Sequence, residues 1–126
     1  MTPLLLLGVA LGGGLGATVR FVLDGLVRER TSGAAPWGTI TINLSGSLLL
    51  GVVTGLAAAL VLPEPAHLVL GVGVLGGYTT FSTASFETIR MLQERRWVAG
   101  LLNGPGVLVA AICLAGLGIR LGTLLV

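Results

Sequence analysis

The chain has 126 residues, of which 54% are hydrophobic and only 10% charged, with a net charge of +2. A soluble domain carries about 25% charged residues, so this deficit, with uncharged runs long enough to cross a bilayer, excludes a soluble enzyme and predicts an all-α membrane protein. The basic residues are all arginine and form no patch for nucleic acid; a lone cysteine (Cys113) and a lone histidine (His67) leave no pair for a disulfide within the chain and speak against a multi-ligand metal site.

Residues 3–19 are uncharged, and helix is expected from about residue 3 to residue 27. The start lacks the basic segment of a signal peptide and its apolar run is too long for one, which predicts a retained first helix. Gly8, Gly12 and Gly16 recur at steps of four and make one flat strip for close helix packing, which Arg20 continues. An arginine at that depth is expected to snorkel to the interface. A polar loop, with Arg28, Glu29 and Arg30, follows.

A second helix is predicted over 37–62, with Pro36 in its first turn and Trp37 at headgroup level. Thr39, Asn43 and Ser47 fall at steps of four and share one polar stripe. Residues 63–65, Pro-Glu-Pro, stop that helix. A third is predicted over 66–94 with a break at 76–80, because residues 76–87 (GGYTTFSTASFE) set two glycines, a cluster of hydroxyls and a carboxylate inside an otherwise apolar span. Non-helical backbone survives in a membrane only where protein buries it or water lines it, so such a break marks a functional site. A fourth helix is predicted over 97–119, with a kink at Gly104-Pro105-Gly106. Five loop arginines (Arg28, Arg30, Arg90, Arg95, Arg96) stand against Arg120 on the other side, which places both termini outside.

Residues 71–76 match GxGxxG literally, but neither a preceding strand nor a helix opening at the last glycine accompanies them, so nucleotide binding is rejected. Glu87 has two readings, a proton carrier near the membrane or a helix-end partner of Arg90. Thr79, Thr80, Ser82, Thr83 and Ser85, joined to the Thr39/Asn43/Ser47 stripe, can form a track of neutral donors across the membrane. Such a track suits a small anion that exchanges hydration for hydrogen bonds, and Phe81 can add the positive edge of its ring.

Three stretches carry a family resemblance: GGGLGATVRF at 12–21, WGTITINLSGSLLLG at 37–51, and GGYTTFST at 76–83 followed by Glu87. Over essentially its whole length the chain resembles the CrcB/Fluc fluoride channels. The resemblance implies four-helix subunits in the cell membrane, paired antiparallel into dimers with two pores, that let fluoride leave the cytoplasm passively. It implies Asn43 as a pore donor helped by Thr39, Phe81 as a pore ring, Ser82, Thr83 and Ser85 as the polar track, and Glu87 at a vestibule. The backbone carbonyls of Gly76 and Thr79 match the family's central sodium site, and Arg20 matches the arginine of its first helix.

Two positions depart from the family pattern. Ala84 stands where a second pore phenylalanine is expected, and Phe86 lies about 140° away around the helix and cannot replace it. Asn103 stands where the fourth helix should carry a tyrosine, and offers comparable hydrogen bonding without a ring. Together with the arginine bias, these departures raise the alternative of a heterodimer, in which a related, oppositely inserted partner completes one pore. A proton-coupled exchanger would use Glu87 as relay. A small multidrug transporter would need an acid in the middle of the first helix and an aromatic cage, and has neither here. A non-conducting scaffold subunit would fit only Ala84 and Asn103.

Overall fold

A computed structural model of the chain describes residues 1–33 and 35–126. Among them the regular structure is entirely helical. Helix α1 spans Pro3–Arg30 and α2 spans Trp37–Ala58. The third rod is built from α3 (Glu64–His67), a π-helical stretch (Leu68–Leu75), α4 (Gly76–Tyr78) and α5 (Phe81–Gln93). The fourth joins α6 (Trp97–Leu101), a second π-helical stretch (Leu102–Gly106) and α7 (Val107–Leu124). Four segments, Pro3–Arg30, Trp37–Ala58, Glu64–Gln93 and Trp97–Leu124, are long and apolar enough to cross a membrane.

The helix ends differ from the sequence expectation for local reasons. α1 opens on a cap in which Thr2 Oγ1 accepts from the Leu5 N–H at 3.3 Å. It runs on to Arg30, past the expected residue 27, helped by the Asp24–Arg28 pair one turn apart (2.9 Å) and by basic residues at the negative end of the helix dipole. α2 stops at Ala58, four residues short of residue 62. The chain there reverses through Leu60 in the left-handed region (φ 61°), and the N–H groups of Val61 and Leu62 both return to the Leu56 carbonyl. Gly76 and Gly77 are helical, and only Thr79 and Thr80 leave the helical ladder between α4 and α5. At residues 104–106 the expected kink takes the form of a widened π turn around Pro105.

Glycine sets how closely the rods approach. The Gly8/Gly12/Gly16 strip packs on the third rod: a Cβ at Gly12 would lie 3.1 Å from the Val69 carbonyl, and one at Gly16 would overlap the Val74 carbonyl. α2 lies along α7, where Gly51 and Gly55 face Gly118 and Gly122, so small residues at steps of four interlock on both helices. Between these contacts sits a small core of Ile42, Leu75 and Tyr78, bordered by Leu23 and Val53. It anchors α2 to the point where α4 ends.

Candidate functional site

Thr79 (φ −79°, ψ 161°) and Thr80 (φ −146°, ψ 122°) have extended backbone, so the Thr79 carbonyl and both peptide groups of Thr80 need partners from other helices. Asn43 supplies two. Its Nδ2 donates to the Thr80 carbonyl at 2.8 Å, and its Oδ1 accepts from the Thr80 N–H at 2.9 Å. Arg20 supplies a third, donating from a guanidinium nitrogen to the Thr79 carbonyl at 3.0 Å. Arg20 therefore reaches inward to the unwound backbone, and the snorkelling expectation is corrected. The Thr79 N–H and Oγ1 both return to the Leu75 carbonyl at 3.0 Å, which ends α4. Thr80 Oγ1 accepts from the Thr83 N–H at 3.3 Å and so caps α5.

Two cavities bear on the site, and the extended step lines the first of them. The first, of about 450 Å³, is a groove between α2, α5 and the fourth rod. Asn43, Ser47, Thr80, Phe81, Ser85, Thr88 and Asn103 place polar and aromatic groups along it, Ala84 and Leu108 are among its apolar walls, and no ionised side chain lines it among the described residues. Asn43 has one amide N–H beyond the one spent on Thr80. Phe81 is 83% exposed, an uncovered ring at the groove's edge. Asn103 is buried and donates to Thr88 Oγ1 at 2.9 Å.

The second cavity, of about 410 Å³, opens among the arginine-bearing helix ends and is lined by Asp24, Arg28, Trp37, Thr39, Glu87, Arg90, Glu94 and Arg96, among others. Here the buried Thr39 hydroxyl donates to Glu87 Oε1 at 3.0 Å. That proton is spent, so Thr39 has no donor left for an anion. Arg90 pairs with Glu94 (3.1 Å), which corrects the Glu87–Arg90 alternative: Glu94, one full turn on, meets the guanidinium instead. Asp24 Oδ1 and Glu87 Oε2, both buried, have no hydrogen-bond partner among the described residues.

The structure thus divides the sequence-derived site. Asn43, Phe81, Ser85 and Asn103 share the groove, whereas Thr39 and Glu87 line the second cavity. Ser82 and Thr83 lie exposed at the start of α5, clustered on Thr80 Oγ1 at 3.4 and 3.1 Å, and line neither cavity. Three contributors went unread in the sequence. Thr88 extends the α5 hydroxyl face one turn past Ser85, the signal that could have found it. Buried Tyr78 meets Ser45 Oγ at 2.9 Å, the partner a membrane-buried phenol requires. Asp24 could have been found from its spacing of four to Arg28.

Fold and site together define a small multi-pass membrane protein whose polar centre is a two-residue extended step held by an asparagine and an arginine. Residues 7–119 match the family model described as CrcB-like protein, Camphor Resistance (CrcB), and the chain belongs to that family. It is 52% identical to fluoride-specific ion channel FluC 1 of Leifsonia xyli subsp. xyli, over 100% of this chain and 92% of the relative. It is 44% identical to a fluoride-specific ion channel FluC of Thermus thermophilus, over 94% of each chain. It is 46% identical to fluoride-specific ion channel FluC 2 of Cutibacterium acnes, over 94% of this chain and 97% of the relative.

Proposed function

We propose that the chain is the subunit of a passive, fluoride-selective channel whose pores form where two subunits pair antiparallel, and that it releases fluoride from the cytoplasm. The carrying observation is the groove: neutral N–H and O–H groups around Asn43, with no ionised side chain among the described residues. A desolvated anion is held there by dipoles that can let it go, whereas a fixed cation would trap it. The exposed Phe81 ring beside the groove is the kind of surface a second subunit covers. The relatives' names, fluoride-specific ion channels, support the choice of ion. Outward flow follows from acid–base chemistry, because fluoride that enters as HF ionises in a near-neutral cytoplasm and leaves only through a conductor of the anion.

A sodium ion between subunits fits the carbonyls present. Thr80 N–H, which in an unbroken helix would bond the Gly76 carbonyl, donates to Asn43 instead, and Gly76 is exposed. The Thr79 carbonyl gives one lone pair to Arg20 and keeps the other. Gly76 and Thr79 would hold the ion, which would tie the unwound segments of two subunits together.

The test is growth on fluoride-containing medium of a bacterial strain that lacks its own fluoride exporter. The chain restores growth and Asn43→Ala does not; no rescue by membrane-inserted chain, alone or paired, contradicts the proposal. A second reading, a heterodimer with an oppositely inserted relative, is favoured by Ala84, which leaves the groove without a second ring beside Phe81, and by the five-to-one arginine bias. It expects poor rescue by the chain alone and full rescue on co-expression, and strong rescue by the chain alone counts against it.

A further inference from the structure

We infer that Thr88 is a positioning residue that turns the nitrogen of Asn103 toward the groove, making Asn103 a second amide donor for the passing anion alongside Asn43. The inference rests on the channel function proposed above. Thr88 Oγ1 gives its only proton to the Ala84 carbonyl at 2.8 Å. It can therefore only accept from Asn103, and the Asn103 atom that meets it at 2.9 Å is Nδ2, the donor. That single bond fixes which end of the amide is which. One N–H is spent on Thr88 and the second remains.

Asn103 is 6% exposed, so this N–H has the groove as its outlet. The lock is mechanically tight. Gly104 follows Asn103, and a Cβ there would lie 2.8 Å from Thr88 Cγ2, so glycine is what lets α5 and the fourth rod come close enough for the bond. The π-helical stretch Leu102–Gly106 carries Asn103, and such widened turns often sit at functional sites. The groove thus has a clamped carboxamide on each wall: Asn43, fixed by the Thr80 backbone, and Asn103, fixed by Thr88. Each keeps one N–H free. Where Ala84 withholds a second ring, Asn103 supplies a stronger donor than a ring edge.

The test is fluoride efflux from liposomes as a function of internal fluoride concentration, with chloride efflux measured in parallel. Asn103→Ala and Thr88→Val are each expected to raise the half-saturating fluoride concentration about tenfold, the scale of a hydrogen bond to a charged group. They should also lower the fluoride-to-chloride ratio, while Thr88→Ser retains the unaltered values. A purely structural role for Thr88 would reduce the amount of folded protein or the maximal rate and leave half-saturation and selectivity alone, which overturns the inference. Efflux from the unaltered chain that Thr88→Val leaves unchanged overturns it as well. No fluoride efflux from the unaltered chain, alone or paired with an oppositely inserted relative, overturns the channel function and this inference together.

Discussion

Replacing Asn43 by alanine removes the only side chain that pairs with both peptide groups of Thr80 among the described residues, through bonds of 2.8 and 2.9 Å. Neither group can return to a helical ladder without rewinding the extended step, and hydrocarbon offers no water in exchange. Leaving a buried donor or acceptor unpaired costs about 1–3 kcal/mol, so the two together destabilise the native state by about 2–6 kcal/mol. Asn43→Asp separates the two bonds: a carboxylate still accepts from the Thr80 N–H but repels the Thr80 carbonyl and any anion in the groove. The assay is reversible unfolding in mixed micelles, read by tryptophan fluorescence from Trp37 and Trp97, alongside fluoride efflux on the same preparations. Both variants should unfold more readily and conduct poorly. If Asn43→Ala unfolds within about 0.5 kcal/mol of the unaltered chain, the range typical of substitutions away from such contacts, the Asn43–Thr80 clamp does not hold the step.

Further outcomes follow from other contacts. Gly16→Ala drives a Cβ into the Val74 carbonyl, whereas Gly14→Ala meets nothing within 4 Å; the first should lose about 1–3 kcal/mol of unfolding free energy and the second none. Leu60→Gly relieves the left-handed turn after α2 and should stabilise by about 1 kcal/mol in the same assay. Thr39→Val leaves Glu87 without its hydrogen bond and should reduce efflux, with Thr39→Ser retaining it. Exchanging sodium for a bulky organic cation on both sides of the membrane should slow efflux and weaken subunit pairing, measured by cross-linking, if the sodium ion proposed at the Gly76 and Thr79 carbonyls ties two subunits together.

The four spans were legible because charges cluster at their ends, and the Gly8/Gly12/Gly16 strip because steps of four mark one helix face. Other features depended on distance along the chain. Arg20 lies 59 residues from Thr79, so its local sequence suggested an interfacial arginine and hid an inward bond. Asn43 stood out as a polar residue in a span, but its partner is backbone, and backbone partners leave no trace in side-chain patterns. Spacing offered Arg90 as one of two readings for Glu87; the structure gives Arg90 to Glu94 and Glu87 to Thr39, 48 residues away. The end of α2 was missed because leucine occupies a left-handed position that usually announces itself as glycine. The π turns were invisible for a related reason: a widened ladder changes which carbonyl each N–H meets without changing the hydrophobic pattern.

The most direct test is ion efflux from liposomes containing only this purified chain, followed with fluoride and chloride electrodes. A self-paired channel predicts rapid fluoride loss with little chloride, abolished by Asn43→Ala. Retention of fluoride by liposomes that hold folded, dimeric chain, or equal loss of both ions, would contradict the account.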